Sequence, residues 1–296
     1  MGFGGTTEVV ISADAYPFAP LKPKGRMRNA TIVVVRLKGT ATEAIKNMVL
    51  AGIGKLVMVD NEEVTEEDLG AGFLFRDEDV GKNRVEAAKS KVESLNPLVT
   101  VETMSNASVL VGEQFEDLVR RVDLVCITDW DRDGLIRMNE VCRRNGKPFY
   151  SGGTYGLLGY IFCDLLNHEY IAPDRSTLKE VPKSVKKTEI YSQLEIALRH
   201  QWTSLTKRQT KEVNPAAFFS ILTAHEFSPV CAIVGGMLGQ DILKALAARE
   251  PPIANFFVFD GNTGAGTVTR LTTLSLRNLM SFVKSAGAAD AKGVCN

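Results

Sequence analysis

The sequence holds no C-x-x-C pair, no surplus of either charge and no long apolar run, and each absence removes a class of protein. Its five cysteines, Cys126, Cys142, Cys163, Cys231 and Cys295, stand at least sixteen residues apart. That spacing excludes zinc ribbons and thioredoxin-like redox motifs, and an odd, scattered set suits a reducing compartment. The 35 Lys and Arg balance 35 Asp and Glu, so the electrostatic footprint of a nucleic-acid binder is missing. Apolar runs such as Ala30 to Val35 are strand-sized, so no membrane span is expected. The opening MGFGGTTEVV lacks the basic start, apolar core and cleavage site of a secretory signal, and the expectation is a protein that stays inside the cell. At 296 residues and 45% apolar, the chain can bury a core without staples.

The periodicity that is present predicts an α/β sheet. Thr31 to Arg36 (TIVVVR) is a β-branched run, as in a parallel strand covered on both faces. Ala44, Ile45, Met48 and Val49 follow at helical spacing, Gly52 stands where a C-terminal cap would, and Leu56 to Val59 is a second buried strand. The alternation recurs: a helix through Val85, Ala88, Val92 and Leu95 stopped by Asn96-Pro97, a strand near Val99 to Met104, a helix through Phe115, Leu118 and Val119, and the strand Leu124 to Thr128. A helix through Leu135, Met138 and Cys142 ends at Gly146, before Pro148 to Tyr150 and an apolar run from Tyr155 to Leu166. Such alternation predicts a doubly wound sheet. After His168 the character changes. Lys179 to Lys187 is a basic run read as a solvated face or linker, and Thr188 to His200 reads as an amphipathic helix. From Pro229 a strong helix resumes, with Gly235, Gly236 and Gly239 permitting close backbone approach. Phe256 to Phe259 and Gly266 to Leu271 predict a hairpin extending the sheet.

After the first strand of such a fold a nucleotide binder places G-x-G-x-x-G, so that backbone N–H groups reach the phosphates. That place reads Val35-Arg36-Leu37-Lys38-Gly39-Thr40-Ala41-Thr42, and only Gly39 survives. Asp60 ends the second strand, 21 residues after Gly39, where an acid would meet a ribose hydroxyl. An NAD-dependent dehydrogenase is thereby disfavoured. The loop Asn61 to Asp68 adds five acids without a base, either a solvated acidic loop or one that repels polyphosphate unless Mg²⁺ intervenes. Cys231, just inside the helix that begins near Pro229, is a core thiol or, with its pKa lowered by the helix dipole, a nucleophile.

The runs RLKGTATEAIKNMVLAGIGKLVMVD, GAGFLF, VGKNR, SLNP, FSPVCAIVGGMLGQDILKAL and PPIANFFVFDG, in that order and spacing, carry a family likeness over roughly residues 26 to 168 and 226 to 271. The sequence resembles the small, non-catalytic subunits of heterodimeric SUMO-activating enzymes, within the ThiF/MoeB-like adenylating family. The resemblance implies a Rossmann-like, doubly wound, mostly parallel sheet of that type, completed by a C-terminal helix and hairpin. It also divides the chain into an N-terminal tail (1–28), an adenylation-type half (29–168), a shortened basic and helical insertion (169–225), the sheet-completing helix and hairpin (226–271) and a tail (272–296).

The activity implied belongs to a pair of subunits. ATP adenylates the C-terminal glycine of a ubiquitin-like protein, and a cysteine of the large subunit then takes the acyl group as a thioester. ATP and Mg²⁺ are bound mainly by the partner, the partners are the large catalytic subunit and SUMO, and the family's compartment is the nucleus, otherwise the cytoplasm. No nucleic acid or membrane is involved. The alternative is a self-sufficient adenylating enzyme of the MoeB type.

Catalytic relatives carry N-L-N-R-Q-F-L-F where this chain has Asp68-Leu69-Gly70-Ala71-Gly72-Phe73-Leu74-Phe75, so the donors and the cation around the phosphates are gone. A later lysine corresponds to Arg84, and the Mg²⁺-linked aspartate falls within Asp129-Trp130-Asp131 in an unfixed register. Gly39, Asp60 and Arg84 thus remain as a degenerate nucleotide site, with no catalytic residue or metal ligand assigned to this chain. Tyr16 to Gly25 lacks the arginine that relatives carry in Y-D-R-Q-I-R-L-W-G, and Phe218 to Ala224 runs almost directly into Phe227 where relatives have further helices. His168, His200 and His225 read as structural or exposed.

Overall fold

A computed structural model describes residues 27–173, 184–199 and 226–270. Tyr16 to Gly25, Phe218 to Ala224, His200, His225, Cys295 and the 272–296 tail, all singled out in the sequence, lie outside the described residues.

The chain opens with β1 (Thr31–Val35), α1 (Gly39–Ala51) and β2 (Lys55–Val59), then α2 (Asp68–Ala71), α3 (Arg84–Leu95) and β3 (Thr100–Met104). Next come α4 (Gly112–Arg121), β4 (Leu124–Thr128), α5 (Arg132–Arg144), β5 (Phe149–Tyr155) and β6 (Leu158–Asp164). A two-stranded sheet, β7 (Asn167–Pro173) with β8 (Ser184–Ile190), precedes the short α6 (Leu194–Arg199). The long helix α7 (Ser228–Ala247) leads to β9 (Phe256–Asp260) and β10 (Ala265–Thr269).

The eight-stranded sheet runs β10-β9-β6-β5-β4-β1-β2-β3. From β5 to β3 every pairing is parallel, and β6, β9 and β10 extend the sheet antiparallel. The β-branched runs are buried because both faces are covered. Ile32 and Val34 point toward α1, α3 and α7, whereas Val33 and Val35 join Phe115, Leu118 and Leu135 of α4 and α5 on the other face. The period of two along a strand divides one run between two cores. Gly52, at φ +80°, closes α1 with its N–H on the carbonyls of Met48 and Val49.

Two expectations change. Thr188 to Ile190 is strand, and helix begins only at Leu194. The β-branched Val185, Thr188 and Ile190 suit an extended arm, and β7 supplies a partner whose register pairs Asn167 with Ile190. The basic residues Lys186 and Lys187 therefore sit on an exposed strand. The second change concerns apolar runs: α7 is long and apolar enough to cross a membrane by length and composition, with a mean hydropathy of 1.5 and half of its window buried. Its inward residues, among them Val230, Val234, Leu238 and Ile242, are in the core, which accounts for that half.

Helices α1 and α7 run side by side at close range. A Cβ on Gly235 would lie 2.5 Å from the Thr40 carbonyl oxygen and one on Gly239 3.0 Å from that of Ala44, whereas at Gly236 nothing comes nearer than 3.9 Å. Gly235→Ala should therefore cost about 1–3 kcal/mol through overpacking. Gly236→Ala should be neutral or stabilising by up to about 1 kcal/mol through helix propensity. Urea unfolding midpoints of the two variants should move in opposite directions or differ by the first amount alone.

Candidate functional site

Strand β1 has β2 on one side and β4 on the other, and at such a switch point the crevice beyond the strand ends is where α/β folds bind ligands. A cleft of about 220 Å³ lies there, with Arg36 and Lys38 after β1, Asp129 and Trp130 after β4, Thr154 on β5, and Glu226 just before α7.

The turn after β1 is built without its glycines. Arg36 adopts φ +68°, a left-handed conformation that disfavours a side chain. Its N–H donates to the Val59 carbonyl at 2.8 Å, and its own carbonyl accepts the Thr128 hydroxyl at 2.7 Å. The guanidinium lies 5.7 Å above the Trp130 ring and 3.2 Å from Glu62. The next amide, of Leu37, donates to Asp60 Oδ2 at 2.8 Å.

Gly39 begins α1, and its N–H donates to Glu226 Oε1 at 2.8 Å. The amide on which a phosphate would rest therefore already holds a carboxylate. A Cβ at Gly39 would meet Ala71 Cβ at 2.8 Å and Cys231 Sγ at 3.1 Å, so packing alone demands glycine here. Burial pushes the Glu226 carboxyl above the ordinary range, although Lys38 and the Gly39 amide pull it back.

On the facing side, Asp129 stands at φ +49° and its Oδ1 accepts the Thr154 N–H at 3.1 Å. The buried Oδ2 makes no hydrogen bond. Burial, then the nearby Glu226 charge, pushes Asp129 up to about 7. Asp131 is used as the N-cap of α5, accepting the Gly134 N–H at 2.8 Å. Within the Asp129-Trp130-Asp131 stretch, then, each aspartate holds one backbone amide, and it is Asp129 whose second oxygen is buried without a partner. Among the described residues no group of three or more His, Cys, Asp or Glu is arranged to hold a metal ion.

Of the residues marked in the sequence, Asp60 and Arg84 come together and Gly39 stands apart from them. Arg84 is buried, with Nη1 2.6 Å from Glu62 and 3.5 Å from Asp60, and Nη2 3.0 Å from Asp68. Burial opposes its charge, but the Glu62 hydrogen bond and the charges of Asp68 and Asp60 outweigh that and raise its pKa. Glu62 is in turn held below the ordinary carboxylate range: burial acts upward, and Arg84 and Arg36 overcome it. Glu62 and Asp68 of the acidic loop are thus neutralised by bases from outside it, while Glu63, Glu66 and Glu67 are exposed. Cys231 is buried and its thiol is pushed up to about 12, by burial first, so the nucleophile reading fails. The dipole of α7 does not offset the loss of solvent. Glu226 escaped sequence reasoning; a lone acid three residues before Pro229 carries no periodic signal.

Residues 15–278 match the ThiF family. The chain belongs to the ThiF family. It is 30% identical over 316 residues to SUMO-activating enzyme subunit 1 of Homo sapiens, covering 84% of this chain and 90% of that protein. The Danio rerio protein of the same name is 29% identical over 317 residues, with the same coverage. Among solved structures, E. coli MccB with succinimide superposes with a TM-score of 0.61 at 16% identity, covering 84% of this chain and 66% of that one. MccB with AMPCPP and MccA also gives 0.61 at 16% identity. These structures bear on the fold alone, which is the α/β sheet of the family, while family membership implies ATP use. The Gly39 amide is not free for an ATP phosphate in this structure, because it donates to the Glu226 carboxylate.

Two outcomes follow from the charges. Arg84→Met should lower stability by about 3–5 kcal/mol near neutrality, by leaving buried carboxylates without their cation. The Glu62 share of that loss is present above its unfolded value of 4.5 and fades as pH falls through its lowered folded value. Asp129 has the opposite sign: its raised pKa favours the folded state below 3.8, and that contribution is lost as pH rises through about 7. Urea titrations between pH 4 and pH 8 should show Asp129→Asn with a flatter dependence than wild type and a higher midpoint at the alkaline end.

Proposed function

We propose that this chain is the regulatory subunit of a heterodimeric SUMO-activating enzyme, supporting ATP-dependent adenylation and thioester formation that take place on a larger partner subunit. One observation carries the reading. A fold spanning 90% of the length of its SUMO-activating relatives keeps its sheet and core, yet the amide at its phosphate position is held by Glu226 at 2.8 Å. A scaffold preserved without a free phosphate amide suits a subunit that shapes its partner's site. The MoeB-type alternative, a self-sufficient adenylating enzyme, is disfavoured by the same contact. Nuclear residence goes with the proposal.

Support for a partner comes from α7. Its outward side carries Pro229, Ala232 and Ile233, with Phe227 46% and Ile233 43% exposed. An apolar outward face next to a helix that is already half in the core is a protein-docking feature. On this proposal the face meets the large subunit.

The test is reconstitution. Mixed with the large subunit and SUMO, the chain should form a stable complex with ATP–pyrophosphate exchange, and alone it should exchange nothing. Exchange by the isolated chain, or no complex, would sink the reading. Ile233→Asp should weaken the complex by about tenfold or more, because docking would bury an unpaired charge, while its unfolding midpoint stays near wild type.

A further inference from the structure

The ribbon of β7 and β8 is tied down at its root and open along one side. Asp164, buried at the end of β6, accepts Arg143 Nη1 at 2.7 Å, Asn139 Nδ2 at 3.0 Å and the Leu166 N–H at 3.1 Å. Arg143 also reaches the Tyr191 carbonyl at 3.3 Å, and the Tyr191 N–H donates to the Leu166 carbonyl at 2.8 Å. Side chains of α5 thus hold both ends of the ribbon. Beyond the root the two strands differ. β7 buries Tyr170 and Ala172, and its Ile171 N–H donates to the carbonyl of Ala248, just past α7, at 2.9 Å. In β8 every residue except Glu189 is exposed.

The register shows which backbone groups of β8 are open. Because the Ile171 N–H points away from β8, its opposite residue Lys186 turns its own N–H and C=O away from β7. Ser184, Thr188 and Ile190 share that direction by alternation, and no further strand pairs with them among the described residues. An open edge of this kind is a template for another strand. Its side chains select which one. Lys186 is paired with Glu169 at 2.7 Å and Glu189 with Arg270 at 2.6 Å, whereas Lys187, midway along β8, has no ion-pair partner among the described residues. On the other face, beside Lys186 and Thr188, Ile190 and Ile171 are 49% and 36% exposed.

We propose that the free edge of β8 receives an extended, acidic segment of a partner protein, paired antiparallel, with its acid opposite Lys187 and aliphatic residues opposite Lys186 and Thr188. The aliphatic side chains would cover the isoleucine face, and the acid would answer the unpaired lysine. A second copy of this chain fits less well. Outward-facing residues must meet outward-facing ones, so the register of two β8 strands that pairs all their residues sets Lys187 directly against Lys187, which is destabilising. A shift one way sets Lys186 on Lys186. The opposite shift pairs only Lys186 to Ile190 and calls on Glu189, which Arg270 already holds. The same lysine therefore opposes self-pairing and favours an acidic strand, which is how one residue supplies both sides of specificity. The edge lies apart from the cleft, so the proposal does not depend on the nucleotide site.

The test uses the full chain and a labelled peptide, Val-Thr-Val-Glu-Val-Thr-Val, N-methylated at the glutamate and both threonines so that only one of its edges can pair. Fluorescence anisotropy should show it binding about three- to tenfold more tightly than the same peptide with lysine at the centre, the scale of one cross-strand charge pair reversed. Lys187→Glu should exchange the order of the two peptides. Thr188→Pro removes an outward N–H while leaving the β7–β8 ladder its own bonds, and should weaken the acidic peptide about tenfold or more. Moving the methyl groups to the inner valines should abolish binding. On addition of the acidic peptide, the amide resonances of Lys186 and Thr188 should shift. Equal binding of the two peptides, an unchanged order in Lys187→Glu, or binding by the valine-methylated peptide would overturn the proposal. So would sedimentation of the chain alone as a dimer that Thr188→Pro dissociates, which would assign the edge to a second copy. Should Thr188→Pro fail to fold by circular dichroism, Lys187→Glu and the methylated peptides carry the test. Reconstitution with the large subunit is a separate measurement, so this inference and the proposed function can fail independently.

Discussion

The carbonyl oxygens of Thr40 and Ala44 on α1 lie where a Cβ on Gly235 or Gly239 of α7 would have to stand, so the two helices approach this closely only because those positions are glycine. Much else is set by that approach. It presses α7 over the sheet, burying Val230, Val234, Leu238 and Ile242 beside Ile32 and Val34. It brings the residue ahead of α7, Glu226, to the first amide of α1, and it places Cys231 against Gly39 and Thr154. A core contact and the state of the cleft are therefore one geometric fact, and the chain cannot change the first without moving the second.

Charge in this region is arranged as two systems joined by the Arg36–Glu62 ion pair. On the β2 side, Arg84 satisfies Asp60, Glu62 and Asp68, a buried cation with more than one acid, and the pKa of Glu62 falls in consequence. On the β4 side, Asp129 and Glu226 share the cleft with Lys38 and Arg36, and both carboxyls rise, by burial before anything else. The first system stabilises the fold by pairing. The second stores an unfavourable arrangement, with an uncommitted carboxylate oxygen on Asp129 and a left-handed backbone at Arg36, and such strain persists only where surrounding contacts over-determine it.

Much of the fold could be read from the residues because the signal was local. TIVVVR, LVMV and LVCIT are strands since both faces of a parallel sheet are covered, and Gly52 and Asn96 mark the ends of α1 and α3 as caps do. Spacing suggests helix from Thr188, whereas the arm from Ser184 to Ile190 pairs with Asn167 to Pro173, a tertiary fact that spacing along one segment cannot contain. The apolarity of α7 is spread over a helix-length window in which Gly and Ala are interleaved with larger residues, so no single apolar run marks it. In the site, the sequence marks Asp60 and Arg84 for a nucleotide, and the structure brings the two within 3.5 Å of each other, a pairing that no local pattern contains. Glu226, 187 residues from Gly39 in the chain, left no trace in any local pattern.

Gly39 shows why a glycine after the first strand is an ambiguous signal. Two constraints act on the same position. A phosphate resting on its amide would require no side chain, and so does the approach of Ala71 Cβ to 2.8 Å and of Cys231 Sγ to 3.1 Å. Here the second constraint suffices alone, since the amide is already occupied. The glycine that would open a nucleotide fingerprint has instead been replaced at Arg36, which keeps the left-handed turn while adding a guanidinium over Trp130 and an ion pair to Glu62. The turn has thus exchanged access to its backbone for side-chain contacts that tie β1 to β4 and to the acidic loop. That exchange puts more side-chain and hydrogen-bond contacts on the turn, and a turn tied to its neighbours is what a subunit needs if its task is to hold a shape for another chain.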